Sequence, residues 1–314
     1  MSTLGELREL SDYQKIILDA AEKAGDILVK YFKQGHHVKT EFKANRHQLL
    51  TKADTESQDL IESTLKVSMK AMGHSEDEVG FIGEESLYEP ARYTFIIDPI
   101  DGTTNFAYGM NHFCISIALY KDSQPFVGCV YAPMYKTVYI AEEGKGAYKM
   151  VMSADMFSDD GASMADRAEA SGAENEEATN GDRQATSPLV PLHIDHTPLS
   201  DSIFLTEPSY RPEEMRQRIK MLDTVQPEVQ SIRMLGSAAL DFCMLADGQA
   251  QIALGGAHMW DFAAVDIIVR QAGGATAQWD GKPYKIDLRD YMQRHHIIAS
   301  HPDILPRIVE LIQA

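Results

Sequence analysis

Cysteine is scarce in this 314-residue chain: Cys114, Cys129 and Cys243 are odd in number, widely spaced and set among apolar residues, with no CxxC pair. That argues against a disulfide framework or a structural zinc site and for buried, reduced thiols. Positive charge is short as well. The 29 Lys and Arg stand against 47 Asp and Glu, leaving a net charge of −18 and a pI of about 5.0. A chain of that sign is not expected to bind nucleic acid or anionic membrane, since either needs clustered Lys and Arg. Long apolar runs are missing: none approaches the roughly 18 residues of a membrane-spanning helix. The opening Met-Ser-Thr-Leu-Gly-Glu-Leu lacks the basic start and apolar stretch of a secretory leader, so a cytoplasmic location is expected.

What is present is an ordinary globular balance, 44% hydrophobic and 24% charged. The length suits one large domain or two tightly joined halves. Ile16, Ile17, Ala20, Ala24, Ile27, Leu28 and Tyr31 predict a helix from about residue 12 to 33. Residues 39–50 read as a loop or hairpin. Leu60, Ile61, Leu65, Met69 and Met72 stripe a second helix after Asp54, stopped by Gly73. Strands are expected at 93–97, 114–120, 126–131, 137–141 and 147–149. Further on, helices are expected at 212–222, 237–246, 262–272 and 304–312, with short strands at 251–254, 276–279 and 296–299. Alternating helices and strands imply layered α and β structure, without internal repeats.

The chain divides by composition into an N-terminal half (1–150), an acidic segment (151–187) and a C-terminal half (188–314). Ser153 to Thr186 holds nine acids against Arg167 and Arg183, a net charge of −7. It has too little apolar surface to offset its ordering entropy, and is expected to be a disordered insertion.

The chemistry concentrates in Glu84-Glu85-Ser86 and in Asp98-Pro-Ile-Asp-Gly-Thr-Thr-Asn-Phe106. Pro99 fixes its own φ and restricts Asp98; Gly102 permits a sharp turn and close approach of a ligand to the backbone. Asp98 and Asp101, three apart on a rigid turn, can face one hard cation, as Mg²⁺ requires. Glu84 adds a carboxylate. Asp261, between Trp260 and an apolar helix, reads as a helix N-cap that can also face a cation. Four acids in one place are self-repelling unless divalent cations sit among them, and those cations would admit a phosphate dianion.

These stretches, with Trp260-Asp261-Phe-Ala-Ala264 leading to Gly273-Gly274, resemble the inositol monophosphatase family over nearly the whole chain except the acidic segment. The resemblance implies an α/β/α/β/α sandwich of the inositol monophosphatase and fructose-1,6-bisphosphatase type, usually dimeric. It implies a Mg²⁺-dependent, lithium-sensitive phosphomonoesterase using two or three ions. Position by position, Glu84, Asp98 and the Ile100 carbonyl would hold one metal, and Asp98, Asp101 and Asp261 a second. Glu85 would act through water on a third. The amides of Gly102 and Thr103 would cradle the phosphate. Thr103 and Asp54 would orient and deprotonate the water, although Asp54 also suits a helix cap. Lys43 matches a basic residue near the active-site loop, and Gly236 and Ser237 would line the substrate pocket. His258 is expected to be structural, because Mg²⁺ prefers oxygen.

One departure bears on substrate. Many relatives carry a glutamate for ring hydroxyls six residues before this Trp-Asp; here the residue is Leu254. A polyol or sugar phosphate such as inositol 1-phosphate is the leading expectation. Fructose 1,6-bisphosphate, histidinol phosphate and a nucleotide phosphate remain alternatives of the same chemistry. A regulatory protein that keeps the fold is an alternative of another class, since some bacterial relatives act in RNA-polymerase antitermination complexes.

Overall fold

The computed structural model describes residues 10–33, 40–42, 49–84, 90–152 and 189–314. Two large sheets and six of the seven α-helices among these residues stack in five layers. The larger sheet runs in the order β3 (Val79–Gly83), β4 (Tyr93–Asp101), β5 (Cys114–Lys121), β6 (Gln124–Ala132), β7 (Thr137–Glu142), β8 (Gly146–Val151) and β9 (Val190–Pro191). It is antiparallel except for the β3–β4 pair. The smaller sheet runs β11 (Ser231–Met234), β10 (Ile203–Thr206), β12 (Ile252–Ala257), β14 (His295–Ser300), β13 (Ala275–Gln278). A two-stranded antiparallel pair, β1 (Thr40–Phe42) with β2 (Leu49–Thr51), falls where a loop or hairpin was expected.

Strand alternation builds the layers, since successive side chains leave opposite faces. Phe95 and Ile97 of β4 join one apolar core with α1 (Asp12–Lys33) and α2 (Lys52–Ala71), while Ile96 between them joins another. That second core is filled by α5 (Ala238–Ala246) and α6 (Met259–Gln271), and Ala253 of β12 and Ile297 of β14 reach it from the smaller sheet. The flanking Ile252, Leu254 and Ile298 face a third core, shared with α4 (Pro212–Val225) and α7 (Leu305–Gln313). The order is therefore α1/α2, large sheet, α5/α6, small sheet, α4/α7: the expected α/β/α/β/α sandwich. The two halves of the chain share the central core.

The expected helices and strands are present with boundaries moved by a few residues. Five short strands and helices go beyond those expectations: β3, β9, β10, β11 and α3 (Thr103–Ala107). Cys114, Cys129 and Cys243 are buried free thiols, as expected. No helix among the described residues is long and apolar enough to cross a membrane. The acidic segment expected at 153–186 lies outside the described residues.

Candidate active site

A strand has period two, so Asp98 and Asp101 on an unbroken β4 would point to opposite faces. They do not, because the strand is irregular between them. Asp98 pairs with Ser116 and Asp101 with Cys114, three residues against two, so one extra residue is inserted at Pro99-Ile100. Proline has no N–H for the ladder, and a bulge is where a sheet tolerates it. The Asp98 Oδ1 accepts the Ile100 N–H at 3.0 Å and holds the turn closed. Gly102 follows with φ +88°, and a Cβ there would meet the His112 carbonyl at 2.9 Å, so glycine is required twice over.

Asp261 arrives from the C-terminal half. Carboxylate oxygens of Asp98, Asp101 and Asp261 lie within 4.8 Å of one another. Glu84, just past β3, lines the same cavity with these three, Ile100, Gly102 and Thr103. The cavity holds about 150 Å³. At that separation each ionised pair repels by ~3 kcal/mol with an effective dielectric constant of about 20. The acidity responds accordingly. Asp98 is pushed well above the ordinary carboxylate range by burial, then by Glu84, Asp261, Asp101 and Asp54. Asp261 is raised by burial, Asp101, Glu207 and Glu84, against the His258 N–H that it accepts. Asp101 is raised by burial, but hydrogen bonds from Ser237, Ala239 and Ala238 pull it back.

Among the described residues lining the cavity, only Arg294 and His258 carry basic side chains. Arg294 is paired with Glu214 at 3.0 Å, and burial, Arg294 and Arg211 hold His258 down at about 4, hence neutral. The donors of the acidic cluster are all oxygen, which suits a hard divalent ion.

The remaining expected site residues divide into several cases. Asp54 is buried in the first turn of α2, which begins at Lys52, so it is not the N-cap; Asp98 feels its charge. Asp261 likewise sits inside α6 rather than capping it, since the helix starts at Met259 after His258. Its Oδ2 accepts the His258 N–H at 2.9 Å, which completes a capping box from the third helical position. The Thr103 hydroxyl donates to the Ile100 carbonyl at 2.9 Å. Gly236 lines the cavity, but Ser237 does not: it is fully buried and its hydroxyl donates to Asp101. Asp101 also accepts the Ala238 and Ala239 N–H groups and so satisfies the start of α5. His258 stacks on Trp260 with ring centres 4.6 Å apart, a packing role as expected. Lys43 and Glu85 lie outside the described residues.

Leu254 is 2% exposed within the third core and does not line the cavity. The substitution there adds a core side chain rather than an apolar patch in the pocket. The sequence reading missed Glu207, Ser209, Tyr210 and Arg294, which all line the cavity. It also missed Asn105, whose amide donates to the His112 and Leu235 carbonyls at 2.7 and 2.8 Å and ties the turn after Asp101 to the Gly236 segment.

A five-layer sandwich with an all-oxygen acidic cluster where its two halves meet defines a class, and sequence comparison gives the family. The sequence model described as "Inositol monophosphatase family" matches residues 9–314, so the chain belongs to that family. The chain is similar to a protein of Vibrio cholerae named Nus factor SuhB, 29% identical over 304 residues, covering 95% of this chain and 94% of that protein. It is similar to inositol monophosphatase 1 of Solanum lycopersicum, 28% identical over 312 residues, covering 97% and 96%. Among solved structures, the extragenic suppressor protein suhB of Bartonella henselae superposes with a TM-score of 0.75 at 25% identity, over 96% of this chain and 99% of that one.

Proposed function

We propose that this chain is a Mg²⁺-dependent phosphatase that hydrolyses a small phosphomonoester, foremost inositol 1-phosphate or a related polyol or sugar phosphate. The observation that carries this reading is the convergence of Asp98, Asp101 and Asp261, from both halves of the chain, within 4.8 Å. Glu84, Asp98 and the Ile100 carbonyl would hold one ion, and Asp98, Asp101 and Asp261 another; Glu85 is proposed to serve a third through water. Bound Mg²⁺ would supply charge stabilisation for the phosphate oxygens and a more acidic water.

The chain's own groups do the positioning, which dominates phosphoryl transfer. The turn at Gly102 presents the first amides of α3, which helix bonds leave unsatisfied, to the phosphate. Asp54 and Thr103 are assigned to orient the attacking water and take its proton. Thr103 then turns its hydroxyl from the Ile100 carbonyl it now bonds. A cavity of about 150 Å³ is small beside the 300–1,000 Å³ of typical ligand pockets. That supports a small ester over a nucleotide. Lithium inhibition, a cytoplasmic location and a homodimer belong to the same reading.

The test is phosphate release from inositol 1-phosphate, fructose 1,6-bisphosphate, histidinol phosphate and 3′-phosphoadenosine 5′-phosphate, with Mg²⁺ or with EDTA. Turnover of inositol 1-phosphate only with Mg²⁺ is expected. A folded, Mg²⁺-binding protein that turns over none of them would contradict the reading. It would favour the regulatory alternative, which draws on the similarity to a protein named Nus factor SuhB.

A further inference from the structure

The cavity has a second group of lining residues that the proposed hydrolysis leaves unused. Glu207, Ser209 and Tyr210 follow β10, Gly256 and His258 lie at the end of β12, and Arg294 precedes β14. One glycine organises the charged members. The Gly256 N–H donates to Glu207 Oε1 at 3.1 Å, and the Gly256 carbonyl accepts from Arg294. The Cα of Gly256 faces Arg218: a Cβ there would lie 2.8 Å from the guanidinium and 3.2 Å from the His296 ring. Arg218 is fully buried, stands 5.4 Å from the centre of the Trp279 ring and donates to the Glu207 carbonyl. A side chain larger than glycine at 256 would displace it.

Glu207 and Glu214 stand among Arg218, Arg294 and Arg211, and both Arg294 and Arg211 pair with Glu214, at 3.0 and 3.8 Å. A neutral, hydroxylated leaving group finds what it needs. The second Glu207 oxygen is outside the Gly256 bond, and a carboxyl oxygen accepts hydrogen bonds. On the wall of the same cavity, the Tyr210 and Thr104 hydroxyls lie 2.9 Å apart.

We propose that Glu207, held by Gly256 and backed by Arg218, selects the leaving group by accepting hydrogen bonds from its hydroxyls. This rests on the phosphatase reading and deepens it. The experiment compares wild type with Glu207→Gln on inositol 1-phosphate and on phenyl phosphate, whose leaving group offers no free hydroxyl. Glutamine keeps an oxygen for the Gly256 N–H. The KM for inositol 1-phosphate is expected to rise about tenfold, with kcat/KM for phenyl phosphate within about twofold of wild type. Equal losses on both esters, or none on either, would overturn the proposal. A second measurement needs no variant: on wild type, cyclohexyl phosphate should show kcat/KM at least about tenfold below inositol 1-phosphate, and equal values would overturn the proposal. Wild type inert toward all three esters with Mg²⁺ would instead refute the phosphatase reading, and this proposal with it. Activity on phenyl phosphate without an effect of Glu207→Gln would refute only the proposal.

Discussion

Pro99 makes a pair of Asp98 and Asp101. Without the extra residue at Pro99-Ile100, β4 would send the two carboxylates to opposite sides of the sheet. Neutralising one member should therefore separate chemistry from folding. Asp98→Asn is expected to lower Mg²⁺-dependent turnover by more than the 10- to 100-fold typical of changes around a metal site. Because repulsion falls, its melting temperature without metal should equal or exceed that of wild type. Gly102 makes the opposite case. At φ +88°, with a carbonyl 2.9 Å from a built Cβ, Gly102→Ala should cost at least ~1–2 kcal/mol, read from urea unfolding. Unchanged stability would show that the turn has another conformation open to it. The Asp98–Phe106 run was legible because chemistry and backbone geometry sit in one contiguous stretch. Glu207 and Arg294 were not legible. They are single charged residues 87 positions apart, joined only by the backbone of Gly256.

At the scale of elements, α6 does two jobs through one residue. Asp261 bonds the His258 N–H from the third helical position and contributes to the acidic cluster. Asparagine can keep the first role, whereas alanine can keep neither. Asp261→Asn should lose Mg²⁺ affinity by titration calorimetry and melt within a few degrees of wild type. Asp261→Ala should lose a further ~1 kcal/mol of stability, the usual worth of a cap. Equal stability of the two variants would remove the capping role. The long helices were legible from their stripes, and their starts were not. Asp54 and Asp261 both resemble caps in sequence, yet each helix begins two residues earlier, at Lys52 and Met259. Strands β10 and β11 are four residues each, too short for alternation to stand out, although β10 leads directly to Glu207. A buried strand also hides which face a residue takes. Leu254 belongs to the third core because β12 has one face on each core.

For the whole molecule, the layering followed from alternating helices and strands, while the meeting of both halves at one cavity followed only from the topology. Neither β8 nor β9, which flank the acidic segment, lines the cavity. Deleting Ser153–Thr186 is therefore expected to leave turnover within about twofold, and a large loss in a well-folded deletion would show that the segment reaches the site. The excess of buried acid sets a pH dependence. Glu22 and Glu207 are raised to about 7, each by burial first, and Asp98 and Asp261 are raised as well. A raised carboxyl keeps its proton in the folded state after the unfolded chain has released it. Its contribution is complete below the unfolded value of about 4 and is lost as pH rises through the folded one. His258 and His295, held down at about 4, oppose this only below about 6.5. In EDTA the melting temperature should fall between about pH 6.5 and 8, and Mg²⁺ should restore it.

The most direct measurement is phosphate release from inositol 1-phosphate by EDTA-treated protein, before and after Mg²⁺ is returned, for wild type and Asp98→Asn side by side. Mg²⁺ is expected to restore turnover in wild type alone, with both proteins folded. Metal-independent turnover, or equal recovery in Asp98→Asn, would contradict the proposed role of the acidic cluster.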